Sequence, residues 1–305
     1  MNAGFKAISN QIRSNQVVGS GYSTGSVTAA SPFLPQVGLN YKLTPDDEIF
    51  ADIADNLRSF QAGGPGYGAA PFQVSQSVFN ATKSHLHPET SLSEEVGYRL
   101  KRSNFAGDVD FYHVDFHNRL LAIAQCAGIV GCPNTLANVG SVTTNGVEIA
   151  GSLALPYGFT WYNAGTINDS QYNNNVTTGG VTYVTKGKTV VDSPKAIYST
   201  DIGYRNGAFF AHLTGYAMSG RYYTYTNDGE VGGRMTWDLS TGYDLHGYGL
   251  LHNARLQLNV TNLFGKRYVS SLGTNGFTMT DPLGEGQTLQ VGPPRAVFGS
   301  LTAKF

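Results

Sequence analysis

Apolar and polar positions alternate along this chain in short stretches. In Ala254 to Thr261 (ARLQLNVT), Ala254, Leu256, Leu258 and Val260 fall on one face and Arg255, Gln257, Asn259 and Thr261 on the other. A period of two is that of an extended strand with one apolar face. Met235 to Leu245 repeats it, with Met235, Trp237, Leu239, Tyr243 and Leu245 opposite Thr236, Asp238, Ser240, Gly242 and Asp244. Val147 to Leu155 and Val37 to Leu43 alternate as cleanly. Asp47 to Leu57, Leu92 to Lys101, Ala196 to Arg205 and Ala208 to Met218 alternate with faults that bulges absorb. With the closing stretch Arg295 to Phe305 and a weaker candidate between Phe5 and Val18, the pattern predicts about twelve strands.

The connectors between these strands fall into two classes that take turns. Short ones lie near Thr44 to Asp46, Arg102 to Asn104, Pro156 to Gly158, Asn206 to Gly207 and Gly247 to His252. Long ones lie near Gly19 to Leu34, Arg58 to Thr90, Leu121 to Asn145, Asp169 to Ser193, Gly220 to Gly233 and Leu272 to Pro293. A soluble sandwich has no reason to gather every long loop at one end. Transmembrane barrels do so, with short periplasmic turns and long external loops. The fold class expected is all-β, an antiparallel up-and-down transmembrane barrel with the long loops outside and Phe305 at the periplasmic end.

Composition narrows the alternatives. Of 305 residues, 38 are Gly, 18 Tyr and 16 Phe, and only 13% are charged, which is unlike a cytosolic enzyme. A net charge of −1 without a Lys/Arg run lacks the electrostatic footprint of a nucleic-acid binder, so no nucleic-acid partner is expected. The most apolar stretches, Ile149 to Tyr157 and Phe209 to Met218, fall short of the roughly 18 apolar residues of a spanning helix. A membrane-embedded chain must then cross as strands in a closed barrel. Met1 to Asn15 carries no apolar core of the signal-peptide kind.

Cys126 and Cys132, the two cysteines, share one loop-like stretch, CAGIVGC. They read as a local disulfide or as free thiols; two cysteines alone do not make a zinc site. So short a closure would contribute about 2 kcal/mol, enough to pin a loop in an oxidising compartment.

Four segments together resemble the TonB-dependent outer-membrane receptors. LQLNVTNLFGKRY (Leu256 to Tyr268) is similar to that family's penultimate strand, and GPPRAVFGSLTAKF (Gly292 to Phe305) to its closing strand with a Pro-Arg entry. LHPETSLSEEVGYRLK (Leu86 to Lys101) and VTTNGVEIAGSLAL (Val142 to Leu155) resemble its Pro-Glu-Thr and Gly-Val-Glu segments, in the same order. The resemblance implies a barrel of about twenty-two strands with a plugged lumen. It implies that residues 1–305 are its C-terminal portion without a plug domain, from a truncated product or a partial reading frame. It also implies a bacterial outer-membrane location and TonB-dependent uptake of a scarce nutrient, a ferric siderophore or a carbohydrate for example. Outer-membrane lipid and the barrel-assembly machinery are the partners implied, the latter reading the terminal Phe305 as an insertion signal. TonB would engage only through the absent plug, so this chain alone is expected not to perform gated uptake. No cofactor, metal or enzymatic activity is expected.

In that family the external loops capture the ligand. Arg221, Tyr222, Tyr223 and Tyr225 cluster in one such loop and read either as a stacking site for a flat or sugar-like ligand or as part of an aromatic girdle. His85 and His87 stand two apart before Pro88 and read as loop residues, since no third metal ligand is placed near them. Asp108, Asp110, His113 and Asp115 read as polar residues lining the lumen rather than as acid–base pairs, and Glu95, Arg99 and Lys101 as lumen charges. Gly63 to Ala70 (GGPGYGAA) lacks the Lys-Ser/Thr ending of a phosphate loop and reads as a flexible loop. Two other readings compete: a passive twelve-stranded pore or adhesin, and a soluble all-β binding module.

Overall fold

A computed structural model of the chain describes residues 1–15, 23–61, 70–123, 135–178, 180–248, 251–273 and 276–304. Twelve long strands make one sheet: β1 (Asn2–Ser14), β2 (Gly25–Lys42), β3 (Asp47–Arg58), β4 (Glu89–Lys101), β5 (Phe105–His117), β6 (Val142–Ala154), β7 (Phe159–Tyr172), β8 (Ala196–Asn206), β9 (Phe209–Met218), β10 (Arg234–Tyr248), β11 (Leu251–Thr261) and β12 (Ala296–Lys304). Each pairs antiparallel with its sequence neighbours, so the wall is an up-and-down meander. Among the described residues, β1 and β12 each keep one edge without a partner strand.

Register carries the alternation of the sequence across the whole sheet. On one face Val37 sits opposite Ile53, Leu39 opposite Ala51, and Ala51 opposite Val96. The row continues through Phe111, Val147 and Ile167. At the other end of the sheet Tyr243, Leu256 and Leu301 share that face. Large apolar side chains on this face are exposed, among them Val96, Phe111, Ile149, Leu256 and Leu301. An apolar surface this continuous belongs in hydrocarbon, because the patches that soluble monomers expose are far smaller. The opposite face is polar, with Asp52 beside Glu95, Glu48 beside Arg99, and Asp110 beside Glu148. It lines the lumen.

The short-turn end is fixed by carboxylates. Asp47 accepts hydrogen bonds from Thr44 Oγ1 at 2.5 Å, Tyr98 Oη at 2.5 Å and Arg102 Nη2 at 3.0 Å, which ties the β2–β3 turn to the β4–β5 turn. Asp244 on the inner face accepts from Arg205 at 3.0 Å and Arg255 at 2.6 Å, and both guanidinium groups lie over the Phe210 ring. In the β7 entry, Tyr157 and Gly158 both adopt positive φ. A Cβ at Gly158 would lie 2.0 Å from the Arg205 carbonyl oxygen, so only glycine fits.

Outward-facing aromatics collect at this same end. Phe159, Tyr204 and Phe209 stack in series at centroid distances of 4.6 and 6.1 Å, and Tyr243 lies opposite Phe209. This is an interfacial girdle. At the other end the outer face turns polar: Ile53 is followed across the sheet by Glu94, His113, Asn145 and Asp169. Parity thus corrects the sequence reading of strand β5. Asp108 and Asp110 face the lumen, but His113 and Asp115 face outward above the apolar band. There His113 Nδ1 lies 2.7 Å from Asn145 Oδ1 and Nε2 lies 3.2 Å from Asp115.

Strand β2 begins well before Val37, inside the stretch read from sequence as a long loop. Its 18 residues extend roughly 60 Å at about 3.3 Å each, well beyond a hydrocarbon core of about 30 Å even when tilted. The protruding part is held by packing: Val27 and Ala29 are buried against Phe79 of the helix α1 (Gln76–Thr82), which is 1% exposed. Ser75 caps that helix by accepting from the Val78 amide. The expected loop 58–90 therefore contains a helix. Cys126, Cys132, Phe305 and nearly all of the glycine-rich segment Gly63 to Ala70 lie outside the described residues.

Candidate functional site

The long connectors stand at the end of the wall opposite the aromatic girdle and pack on one another. Val139, Val142, Tyr172, Val176, Val190, Val191, Tyr225 and Met279 form one core, drawn from the β5–β6, β7–β8, β9–β10 and β11–β12 connections and the strand tops beneath them. A second core joins Val27, Ala29, Phe60, Phe72, Phe79 and Leu120. Leu120 and Leu121 are adjacent in the chain, and they pack into the second and first cores respectively. Phe277 packs against the first core and against a third made of Tyr223, Val231 and Leu272. Apolar contact thus runs from loop to loop around the mouth, and these loops form one body.

Polar pairs reinforce it where backbone ends would otherwise be orphaned. Glu89, 4% exposed at the start of β4, accepts from Arg119 Nη1 at 2.5 Å, the Leu120 amide at 2.8 Å and Arg58 Nη1 at 3.5 Å. Asn227, at positive φ, accepts from the Thr189 amide and donates to the Thr189 carbonyl, clamping the β9–β10 loop to the β7–β8 loop. Asn138 donates to the carbonyls of His87 and Asn118. Asp228 accepts from the Thr280 hydroxyl and the Asp281 amide, joining the β9–β10 and β11–β12 loops. Burial pushes the Asp228 carboxyl up, but the hydrogen bonds from the threonine hydroxyls and the Asp281 amide outweigh it and hold the group below its ordinary range.

The loop residues singled out from sequence are brought together, though not as a platform. Tyr225 is 0% exposed, its ring 5.8 Å from that of Tyr172, and burial pushes its phenol well above the ordinary range. Tyr223 is buried beside Val231 and Leu272, and Arg221 is buried with Nη1 donating to Asp192 at 2.6 Å. Burial raises the Asp192 carboxyl, and the charge and hydrogen bond of Arg221 pull it part of the way back. Tyr222 is half-buried and paired with Glu230 in a two-residue ladder. Three of these four residues are buried inside the loop body and Tyr222 is half-buried. His85 and His87 follow the helix α1 in an exposed segment, where the His87 amide donates to Asn138.

What sequence reading missed on the inner face is Arg234, the first residue of β10. Its guanidinium lies over the rings of Tyr216 and Tyr268, 5.5 and 4.5 Å from their centroids, at the mouth. No local pattern marks it, because the two rings come from β9 and the β11–β12 loop. By contrast, a recess of about 430 Å³ lined in part by Val37, Leu39, Ala51, Ile53, Val96 and Phe111 opens on the apolar outer face.

A membrane wall of antiparallel strands with knitted external loops and a polar lumen defines an outer-membrane barrel of the receptor type. Residues 7–263 match the family described as TonB dependent receptor-like, beta-barrel, and the chain belongs to that family, whose members are outer-membrane transport receptors of Gram-negative bacteria. The pesticin receptor of Yersinia enterocolitica is 22% identical over 262 residues, covering 85% of this chain and 35% of the receptor. The ferric yersiniabactin uptake receptor from Yersinia pestis shares the fold with a TM-score of 0.66 at 18% identity, over 93% of this chain and 39% of its own. A siderophore receptor from Acinetobacter baumannii gives 0.67 at 17% identity, over 94% and 38%. The chain spans little more than a third of the length of these relatives.

Proposed function

We propose that this chain is the C-terminal portion of the wall and mouth of a receptor for TonB-dependent uptake of a scarce nutrient, such as a ferric siderophore. The observation that carries the proposal is the loop body itself. Five external connections that need not touch, together with the protruding top of β2, are tied by three apolar cores and the Glu89, Asn227 and Asp228 clamps above a polar lumen. A rigid, partly polar mouth over a lumen suits capture of a small molecule, since ordering loops beforehand lowers the entropy cost of binding. The names of the relatives, receptors for ferric yersiniabactin and other siderophores, support an iron chelate as cargo.

In this reading, outer-membrane lipid covers the apolar face and the barrel-assembly machinery recognises the terminal strand with Phe305. TonB acts through a plug in the lumen of the complete receptor, and the ligand is moved without chemical turnover. A passive twelve-stranded pore is disfavoured by the free edges of β1 and β12, because a lipid-exposed strand edge leaves backbone groups unsatisfied. The test is growth of a receptor-deficient strain on a panel of ferric siderophores as sole iron, with the gene in its full reading frame supplied in tonB+ and tonB− backgrounds. Growth on one chelate that requires TonB supports the proposal. Growth rescue independent of TonB, or a stable open channel from the chain alone in planar bilayers, contradicts it.

A further inference from the structure

On the outer face, Leu39, Ala51, Val96 and Phe111 lie in one row across β2 to β5, and Ala51 is a short side chain between longer ones. The gap it leaves belongs to the recess of about 430 Å³, whose lining also includes Glu94 and His113. Register sets Glu94 opposite His113, one outward-facing position nearer the external loops, where the outer face turns polar. A guest seated here meets hydrocarbon side chains along its length and charge at its outer end. That order of apolar body and polar rim is the order of a lipid standing in the external leaflet.

Charge at the rim is unevenly matched. His113 Nδ1 lies 2.7 Å from Asn145 Oδ1 and Nε2 lies 3.2 Å from Asp115 Oδ2, so both ring nitrogens are engaged. Asp115 in turn also accepts from Thr143 Oγ1 at 2.6 Å. Glu94 is exposed and has no cation within ion-pair distance among the described residues; the same holds for Asp55, one outward position further along β3. Carboxylates at the edge of hydrocarbon are screened less than in bulk water, and they pair best with a cation that can also donate a hydrogen bond.

We propose that the outer face of β2 to β5 binds one amine-bearing phospholipid of the external leaflet, with an acyl chain in the recess over Ala51 and the headgroup ammonium donating to Glu94. A primary ammonium supplies both the charge and the N–H donors that Glu94 lacks. A quaternary ammonium brings charge without a donor, and an anionic headgroup would face Glu94 and Asp55 with like charge. The site is separate from cargo uptake, since the lumen lies on the opposite face of the wall.

Quenching of a single tryptophan by brominated lipids tests it. Trp161 and Trp237, the two tryptophans of the chain, are replaced by phenylalanine, and Phe111→Trp puts the reporter in the recess. The full chain is folded into phosphatidylcholine vesicles containing increasing fractions of brominated phosphatidylethanolamine, phosphatidylcholine or phosphatidylglycerol. Phosphatidylethanolamine is expected to occupy the site about fivefold more readily than phosphatidylcholine, the scale of a charge-assisted hydrogen bond weakened by water at the rim, and phosphatidylglycerol less readily than either. Glu94→Gln should abolish the preference, whereas Glu95→Gln on the lumen side of the same strand should keep it. Ala51→Leu, which fills the recess, should also abolish it, and Ala51→Ser should not. A reporter at Leu301→Trp, on the same face at the far end of the wall, should show none. Equal occupancy by phosphatidylethanolamine and phosphatidylcholine, a preference that survives Glu94→Gln, or the same preference at Leu301→Trp overturns the assignment. Quenching at Phe111→Trp that falls as the protein is concentrated in the bilayer would put a second copy of the chain in the recess and overturn it as well.

Discussion

Replacing Tyr225 with alanine removes a side chain with 0% exposure from the core shared by four loops. Truncating a fully buried aromatic typically costs about 3–5 kcal/mol, through lost burial and the cavity left behind. Here the loss falls on the loop body, because the partners of Tyr225 are Tyr172, Val139, Val191, Met279 and their neighbours above the wall. Phenylalanine is the informative companion. The Tyr225 hydroxyl is buried with no hydrogen-bond partner, so removing it deletes an unsatisfied group and should leave the loops as stable as before or more so, by about 1–3 kcal/mol. Hydrogen exchange of the chain in nanodiscs reads both substitutions segment by segment. Y225A should speed exchange in 173–195, 219–233 and 276–281 together while the amides of β6 and β8 stay protected; Y225F should slow exchange or leave it unchanged. Equal loosening by both substitutions would show that the hydroxyl has a partner. Loosening confined to 219–233 would show that the loops are not one body.

Three further outcomes follow from the same structure. Glu89→Gln leaves Arg58 and Arg119 without their shared carboxylate; with those side chains 45% and 24% exposed, the cost is discounted to about 1–2 kcal/mol, measured as faster proteolysis of 59–88 and 118–123 and contradicted by an unchanged cleavage rate. Asp228 has its carboxyl depressed below its ordinary 3.8, so its stabilisation is fully present above that value and is lost as the pH falls through the lowered one. Exchange in 219–233 should therefore rise at acid pH in the native chain more than in Asp228→Asn, and identical acid profiles would refute the clamp. Ile149→Arg puts a charge on the lipid face and should lower folding stability by about 2–4 kcal/mol in urea titrations from vesicles, whereas Ser152→Arg on the lumen face should cost far less; equal costs would deny the two-faced wall.

The wall was readable in the sequence because each strand carries its own evidence. In Val142–Ala154, the apolar Val147 and Ile149 and the polar Thr144 and Glu148 alternate without help from any distant residue. Strand β2 was cut short because Ser31, Pro32 and Pro35 hide the period over its first half, which pairs with β1 across a register shift between Lys6 and Ile8. His113 and Asp115 were placed in the lumen because their polarity suggested it, although counting by twos from Phe111 puts them outside; the apolar band ends one step below them. The loop body was invisible for a different reason. Tyr172, Tyr225 and Met279 meet across long intervals of chain, and burial between irregular segments leaves no periodic trace. Arg234 was missed likewise, since the Tyr216 and Tyr268 rings beside it come from other segments of the chain.

These strands form a membrane wall with one face for lipid and the other for an aqueous lumen, and the external loops pack together at one end of it. Spin labels placed singly at positions 146 to 151 of β6 in nanodiscs test it most directly, read by relaxation from lipid-soluble oxygen and from a water-soluble nickel chelate. Oxygen should dominate at 147, 149 and 151 and nickel at 146, 148 and 150, a strict period of two that follows the register with β5 and β7. Uniform nickel access at all six positions, or a period of two with the faces reversed, would rule out the two-faced wall.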